Sequence, residues 1–460
     1  MDKRYHLIGI CGIGMSGIAN LLLKRGMKIS GSDLTEGKMG SRLRELGAEI
    51  FIGHDAKHVR GADLVIYSSA IKEDNPEIRE AKRLGIPFMK RAQALADLMQ
   101  EEVVITVAGS HGKTTTASLI SYLLLEANLS PTIAVGGILR NIDTNAYLGE
   151  GKFFVAEADE SDGSFLYYRP KYSVVTNIDY EHLDYYRDID HARSVFGEFL
   201  NNTALEGCIF VSRDDANLRK ILSGYKRRYV SFSLKEGADL YPRNIEFSGL
   251  SAQFDCFLRD KFLGRFALGL GGMHNVSNAL AVIGLGLELN IGLDTIKKAL
   301  LNYKGAKRRL EIKFEGQEYL VIDDYAHHPT EIRATLAALK NLKKQRVIAV
   351  FQPHRYSRTG FLLEEFTQSF DAADYVVITD IYPAGEVPVR GVSGRILYER
   401  LKAYAPDKEA HFLPKDEIAG HLLKIIRPGD LVITLGAGDI VKVAEELAEN
   451  IHGVLERVKR

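Results

Sequence analysis

The run VVITVAGSHGKTTTAS, residues 103–118, constrains the fold of this chain more than any other stretch. Val103, Val104, Ile105 and Val107 are β-branched or apolar in close succession, the composition of a buried parallel strand. Gly109 and Gly112 then permit a tight turn, and Lys113, Thr114 and Thr115 open a helix. A helix start of this kind aims its backbone amides at one point, so Gly109, Ser110, His111, Gly112, Lys113, Thr114 and Thr115 form a cradle for nucleotide phosphates. Lys113 adds a point charge, and the Thr114 hydroxyl is placed to ligand Mg²⁺. The full phosphate-loop pattern has a glycine where Val107 stands, so this is a shortened variant. A plain glycine turn with a stray lysine is the alternative, and the strand, turn and helix context argues against it.

A buried strand feeding a phosphate turn belongs to an open α/β sheet, and 460 residues suffice for about three domains of ordinary size. The 60 basic and 60 acidic side chains balance, which removes the electrostatic footprint of a nucleic-acid binder and points to small-molecule partners. Cys11, Cys208 and Cys256 lie far apart without metal-ligand spacing, and the chain opens on a strand with no charged-then-apolar leader. A protein of the reducing cytoplasm is expected. No apolar run approaches the roughly 20 residues that span a bilayer, so no membrane association is expected. Monomer and homodimer both remain open.

The first region, residues 1–100, begins with a strand at Tyr5–Ile10, followed by Gly12, Gly14 and Gly17 and an apolar helix at Ile18–Leu23. A second strand, Met27–Ser30, runs into Gly31, Ser32 and Asp33. Gly12-x-Gly14-x-x-Gly17 fits a dinucleotide fingerprint with an acidic residue some 20 positions on, and an NAD site is an open alternative from this region alone. The physics requires only that a helix N-terminus here welcomes a diphosphate. A further strand reaches Ser68 and Ser69, small polar residues at the sheet edge where ligands of open α/β sheets lie.

In the central region, residues 101–310, the strand Phe153–Ala156 delivers Glu157, Asp159, Glu160 and Asp162 to one end. Such a charge run is commonly a solvated loop. Delivered by a buried strand toward a phosphate turn, it reads better as a source of Mg²⁺ ligands. The strand Ser173–Thr176 leads into Asn177-Ile178-Asp179-Tyr180-Glu181-His182, again groups suited to metal at a strand end. Taken alone, His182 is more often an ordinary polar histidine. Gly271 to Asn275 precede a helix of small residues, Ser277–Gly286, whose first turn offers amides to a base or phosphate.

The third region, residues 311–460, repeats the scheme. The strand Tyr319–Ile322 ends in Asp323-Asp324-Tyr325-Ala326-His327-His328-Pro329-Thr330, with a helix from Glu331. Val347–Phe351 ends in Gln352-Pro353-His354-Arg355-Tyr356-Ser357-Arg358. Arg355 and Arg358, three apart, present guanidinium forks that match a carboxylate; a surface arginine pair is the bland alternative. Leu431–Leu435 and Gly436–Asp439 form one more strand and glycine turn.

Seven motifs in order, GSHGKTTT, EADESD, NIDYEHLDYY, HNVSNALA, DDYAHHPTE, QPHRYSRT and LGAGDI, cover essentially the whole chain and resemble the Mur ligases. The resemblance implies three domains: a Rossmann-like one (1–100) for a uridine nucleotide, a central ATPase of phosphate-loop type (101–310) and a Rossmann-like C-terminal one (311–460) for an amino acid. Within the family it is nearest to the branch that joins L-alanine to UDP-N-acetylmuramate with ATP and Mg²⁺ in peptidoglycan synthesis. The branches adding later residues carry a carbamylated lysine ahead of the Asp pair seen here as Asp214-Asp215, and this chain has no lysine between Lys171 and Lys220. Cys11 stands where the L-alanine branch usually has glycine, and Glu181 replaces the usual aspartate before His182.

By that resemblance the activity is ATP-driven amide formation through an acyl phosphate. Gly12, Gly14, Met15, Ser16, Asp33, Ser68 and Ser69 are expected at the UDP-sugar. Thr114, Glu157 and His182 hold magnesium, Glu157 being the family's choice among the four acids. Asn275 and Arg309 contact the nucleotide, and Arg355 and Arg358 hold the carboxylate of alanine. His327 and His328 lie where amino acid and phosphate meet. Lys113, as an exposed loop lysine, is expected to serve phosphoryl transfer and contribute little to packing.

Overall fold

The structure, a computed structural model, describes residues 3–68, 70–182, 185–342, 344 and 346–458. Ser69 lies outside the described residues, as do Leu183 and Asp184. Three sheets organise the chain. The first has five parallel strands in the order Glu49–Ile52, Lys28–Asp33, Arg4–Ile8, Leu64–Tyr67 and Phe88–Lys90. The chain reverses its direction of travel across the sheet at Arg4–Ile8, the place where open α/β sheets leave a crevice at the strand ends.

In the second sheet, Tyr229–Phe232, Cys208–Ser212, Tyr172–Val175, Val103–Ala108, Phe153–Glu157 and Thr132–Leu139 run parallel in that order. Thr144–Tyr147 joins one edge antiparallel, and Leu240–Ser248, Ser251–Leu258 and Lys261–Leu268 extend the other. Val103–Ala108 therefore sits between the two strands, Tyr172–Val175 and Phe153–Glu157, whose ends carry the polar motifs. The third sheet is Glu311–Glu315, Leu320–Asp324, Asp430–Leu435, Arg346–Phe351, Tyr375–Ile378 and Glu409–Phe412, parallel except for its first strand.

The expected three-domain α/β architecture is present, and several element ends fall elsewhere than the sequence suggests. The first helix runs over Ile13–Lys24, five residues earlier than its apolar stretch, because Gly12 is already extended and caps it. The helix expected from Ser277 starts at Met273, so Ser277 lies in its second turn. The helix after Asp324 opens at Pro329, where proline at the first position forfeits no helical bond.

By compactness the chain forms two units: Met1–Arg243, Asp255–Phe266 and Ser277–Lys304, then Asn244–Phe254, Ala267–Val276 and Gly305–Arg460. The first two sheets share a unit because the helix Ile13–Lys24 packs on Thr132–Leu139 and Thr144–Tyr147. One apolar cluster runs from Leu7, Ile18 and Leu21 through Ala146 to Phe154 and Val175. Two amides fasten the contact: Asn20 Nδ2 donates to the Ala146 carbonyl (3.2 Å) and Asn145 Nδ2 to that of Ile13 (2.7 Å). In the second unit, separate apolar clusters cover the two faces of the third sheet.

Where the strand Lys28–Asp33 passes the glycine turn of the first sheet, packing is just as tight. A Cβ on Gly31 would lie 2.6 Å from both Ile10 Cδ1 and the Leu7 carbonyl oxygen. Gly31→Ala is expected to cost about 1–3 kcal/mol through forced repacking, read as a lowered midpoint of thermal unfolding.

Candidate active site

The turn after Val103–Ala108 is built by its neighbours. Gly109 holds φ +131°, and a Cβ there would stand 2.2 Å from Thr176 Oγ1. Gly112, at φ +83°, caps the helix Lys113–Glu126, and a Cβ would meet Asn278 Oδ1 at 2.9 Å. The end of Tyr172–Val175 clamps the loop between them. The Ser110 amide donates to the Asn177 carbonyl (3.1 Å) and that of His111 to Asn177 Oδ1 (2.9 Å). Thr176 Oγ1 and Asn177 Nδ2 donate to the His111 carbonyl, at 2.6 and 3.0 Å. His111 Nε2 lies 2.8 Å from Asp179 Oδ2. The first-turn amides of the following helix are left facing the strand ends, the arrangement that binds phosphate.

The four acids do not form one repelling cluster, for each has its own partners. Glu157 accepts from Thr114 Oγ1 (2.9 and 3.1 Å) and from the Gly136 amide (2.8 Å). Asp159 pairs with Arg91 at 3.2 Å, and Asp162 accepts from the Ser164 amide. Glu160 pairs with Lys113 at 2.8 Å, and His182 Nε2 lies 3.5 Å from the same carboxylate oxygen. The expected metal set thus falls into two places, Thr114 with Glu157, and His182 with Glu160 and Glu181.

Lys113 departs from expectation. Its side chain is only 13% exposed, and its ammonium also donates to the carbonyls of Gly109 (2.6 Å) and Ser110 (3.2 Å). A helix-opening lysine beside three carboxylates is drawn inward rather than left in solvent. Burial works against its charge, but Glu160, Asp159 and Glu157 outweigh burial and push its pKa up. His182 follows the same logic: burial pulls it down, and the Glu160 and Glu181 carboxylates raise it above the ordinary histidine range. Its backbone sits at φ +56°, unusual for a residue with a side chain.

At the first sheet, Gly9 (φ +80°) and Gly12 shape the turn, and helix geometry leaves the amides of Ile13, Gly14 and Met15 without intrahelical acceptors. The Met15 and Ser16 side chains are buried, so Met15 offers its backbone amide to a ligand, while the Ser16 hydroxyl donates to the Ile13 carbonyl and its amide to that of Gly12 (2.8 Å). Asp33 accepts the Cys11 amide on Oδ2 (2.9 Å) and the Leu34 amide on Oδ1 (2.8 Å). In a dinucleotide fold the corresponding carboxylate takes the ribose hydroxyls; here it is bound to the turn itself, which disfavours the NAD alternative. Ser68 donates its amide to the Ile8 carbonyl beside Gly9. Arg91 bridges the two sheets: besides pairing with Asp159, its Nη1 lies 2.9 Å from where a Gly14 Cβ would be.

The second unit has its own strand-end site. Arg355 sits at φ +68° between Arg346–Phe351 and the short helix Tyr356–Phe361, its amide donating to the Tyr382 carbonyl. Its Nε is buried with no hydrogen-bond partner among the described residues. Arg358 Nη1 is 3.2 Å from His354 Nδ1, and the His354 ring stacks on Tyr382 and meets His327 edge-on. Burial, then His327, Arg358, Arg355 and Arg308, push His354 down to about 3. His328 caps the helix Pro329–Lys340, accepting the Thr330 amide, while His327 Nδ1 lies 2.9 Å from the Tyr325 carbonyl. Arg308 pairs with Asp323 and donates to the carbonyls of Gly436 and Gly438. Asn275 donates to the Gly271 carbonyl and Arg309 lies 3.8 Å from Glu331, both within this second unit.

Three family models match in series: the Mur ligase family catalytic domain over residues 4–102, the Mur ligase middle domain over 107–286 and the Mur ligase glutamate ligase domain over 308–438. The chain belongs to the Mur ligase family. Among its relatives are the UDP-N-acetylmuramate–L-alanine ligases of Geotalea uraniireducens, 45% identical over 98% of this chain and 99% of that protein, and of Desulfotalea psychrophila, 47% identical over 97% and 98%. The crystal structure of a UDP-N-acetylmuramate-alanine ligase from Thermotoga maritima superposes with a TM-score of 0.84 at 30% identity, covering 98% and 99% of the two chains. A murein peptide ligase from Psychrobacter arcticus gives 0.72 at 26% identity over 97% and 98%.

Sequence reasoning reached the turn of this Mur ligase and both strand-end motifs, but missed Glu160 as the partner of Lys113. It missed Arg91 and Arg308 entirely, since lone arginines carry no local signal. Asp215 caps the helix Ala216–Leu222 and accepts the Ile178 amide, a structural duty.

The His354 environment makes a pH prediction. With its folded pKa depressed to about 3 against an ordinary 6.5, the folded state binds fewer protons, so its contribution is present above pH 6.5 and lost as pH falls toward 3. Lowering pH from 7 to 5 should remove about 1–2 kcal/mol through this group. A His354→Gln variant is expected to show a correspondingly smaller drop in thermal midpoint over that interval.

Proposed function

We propose that this chain joins L-alanine to UDP-N-acetylmuramate in the cytoplasm at the expense of ATP, giving UDP-N-acetylmuramoyl-L-alanine, ADP and phosphate for peptidoglycan synthesis. The observation that carries the ATP step is the Gly109–Thr115 turn with Lys113 seated in it and Glu157 on Thr114 Oγ1; the substrates follow from the full-length relatives that bear that name. Residues 1–100 are assigned to the UDP-sugar, 101–310 to ATP and 311–460 to alanine. Among the described residues no helix is long and apolar enough to cross a membrane, in keeping with nucleotide-linked substrates.

In the reaction, a lactyl carboxylate oxygen bonds to the γ-phosphorus as the bond to the β-phosphate oxygen breaks, and ADP leaves. The alanine nitrogen then bonds to the acyl carbon, loses a proton, and expels phosphate. Negative charge grows on phosphoryl oxygens in the first step and on the carbonyl oxygen in the second, so preset cations and amides lower both barriers. Lys113 and the first-turn amides with Thr115 serve the phosphates. Thr114 and Glu157 fit a hard cation, being adjacent oxygen donors at the turn, and His182 adds a nitrogen on the neighbouring strand end. Mg²⁺ held there supplies charge neutralisation on the phosphate oxygens.

Gly12, Gly14, Met15 and Ser16, the turn and helix start that carry the unbonded amides of Ile13, Gly14 and Met15, are assigned to the UDP-sugar with Asp33 and Ser68 shaping the edge, as is Ser69. Asn275 and Arg309 are assigned to the nucleotide. Arg355 and Arg358 take the alanine carboxylate; the strained backbone and buried Nε of Arg355 support a ligand-holding duty. His327 and His328 are assigned to orienting the incoming groups, His328 with its Nδ1 engaged by the Thr330 amide and hence its Nε2 protonated when neutral.

Incubation with ATP, UDP-N-acetylmuramate and L-alanine should release phosphate only when all three are present; release without alanine dependence would reject the reading. Lys113→Met should lower kcat by about 10²-fold or more. Because Glu160 would then be buried without its counter-charge, the same variant should also unfold at lower temperature. Arg355→Lys should raise KM for alanine strongly while leaving calorimetric ATP and UDP-sugar affinities unchanged. The reverse pattern would assign the arginines to the UDP-sugar.

A further inference from the structure

Glu160 differs from its acidic neighbours in how completely it is enclosed. Its side chain is 1% exposed. Oε1 takes the Lys113 ammonium at 2.8 Å and lies 3.5 Å from His182 Nε2, while Oε2 is buried with no hydrogen-bond partner among the described residues. The Lys113 ammonium donates to Gly109, Ser110 and Glu160, so all three of its protons are committed within the protein. A phosphate can gain a bond from Lys113 only if one of these is released. The two carbonyls belong to the turn, whereas Glu160 is on a separate strand end and is itself anionic, so it is the partner that competes directly with phosphate. Its release would leave a buried carboxylate without a counter-charge, which is strongly unfavourable unless another cation arrives.

The cation's place is already set out. His182 Nε2 stands beside Glu160 and 3.9 Å from Glu181 Oε2, which gives an imidazole and two carboxylates from the ends of the two strands that flank Val103–Ala108. The Tyr186 hydroxyl donates to the Glu160 carbonyl (2.7 Å) and fixes the backbone from which the carboxylate swings.

We propose that Glu160 is a metal ligand held in reserve: when a triphosphate takes Lys113, the Glu160 carboxylate passes to a divalent cation shared with His182. Phosphate binding and cation binding at His182 are thereby one coupled exchange. The inference rests on the reading of the Gly109–Thr115 turn as an ATP site, and adds to it a residue and a linkage.

The test is Mn²⁺ binding, followed by electron paramagnetic resonance and calorimetry, with and without a non-hydrolysable ATP analogue. The wild-type chain should bind two Mn²⁺ when the analogue is saturating, one with the nucleotide and one at His182, and should bind none tightly at His182 without it. Glu160→Gln should keep its affinity for the analogue or gain some, since Lys113 is freed, while its second Mn²⁺ weakens about tenfold or more. Retention of both Mn²⁺ with affinities within about twofold of wild type would overturn the proposal. If Glu160→Gln does not fold, Glu160→Asp replaces it: a second Mn²⁺ weakened severalfold with analogue affinity kept supports the exchange, and both Mn²⁺ affinities within about twofold of wild type overturn it. Failure of the wild-type chain to bind the analogue at all would instead reject the ATP site, and the exchange with it.

Discussion

A buried ammonium needs a counter-charge, and in this chain the pairing of Lys113 with Glu160 sets the form of everything around it. The lysine is fixed at the first position of a helix that starts where Gly112 turns, and the turn exists because Gly109 accepts a backbone conformation and a closeness to Thr176 that no side chain would allow. Two neighbouring strands then have defined duties. Tyr172–Val175 ends in the residues that hold the loop carbonyls and amides, and Phe153–Glu157 ends in the residues that balance its charge. An insertion of one residue at either strand end would move a clamp or a counter-charge away from the turn, so the parallel register is itself a condition of the site.

Much of this was legible in the sequence because it depends on local rules. A β-branched run, two glycines and a Lys-Thr-Thr opening leave few alternatives, and the strand ends in the third sheet repeat the same grammar. What was not legible is which acid faces which base. Four carboxylates within six residues of a strand end give no register: the strand finishes at Glu157, and the direction of each later side chain depends on the loop that follows. Glu157 thus meets Thr114 and Gly136, Asp159 meets Arg91, and Glu160 turns back to Lys113. The same limit applies to Lys113, which reads as an exposed loop residue until its three oxygen partners are seen. The Ile13–Lys24 helix shows the opposite error. Its apolar stretch begins at Ile18, but the helix begins where Gly12 becomes extended, and Met15 and Ser16 are buried side chains in a segment read for its ligand contacts.

Arg91 and Arg308 share a character that sequence patterns do not register. Each joins a glycine turn to an acidic residue on another segment: Arg91 spans from Gly14 to Asp159, and Arg308 from the Gly436–Gly438 turn to Asp323. A guanidinium is suited to this, since its planar fork reaches two acceptors at fixed angles and keeps its charge at any physiological pH. At the first turn the approach requires the absence of a Cβ on Gly14, which would stand 2.9 Å from Arg91 Nη1.

Beneath the edge of the first sheet lies a second buried carboxylate, and it is stabilised differently. Glu77 is fully enclosed yet held down to about 2, because burial, which alone would raise it, is outweighed by His6, the Ser32 hydroxyl and His58. Ser32 Oγ donates at 2.6 Å, His58 Nδ1 lies at 2.8 Å and His54 Nδ1 at 3.2 Å, so donors arrive from the strand Lys28–Asp33 and from the segment after Glu49–Ile52. Glu77 lies in the first turn of the helix Pro76–Leu84, whose amides also favour an anion. A carboxylate enclosed by a serine hydroxyl and histidine rings ties these chain segments together. Ser32 precedes Asp33, whose carboxylate holds the Cys11 amide, so the enclosed glutamate steadies the strand end on which the glycine turn of this domain rests.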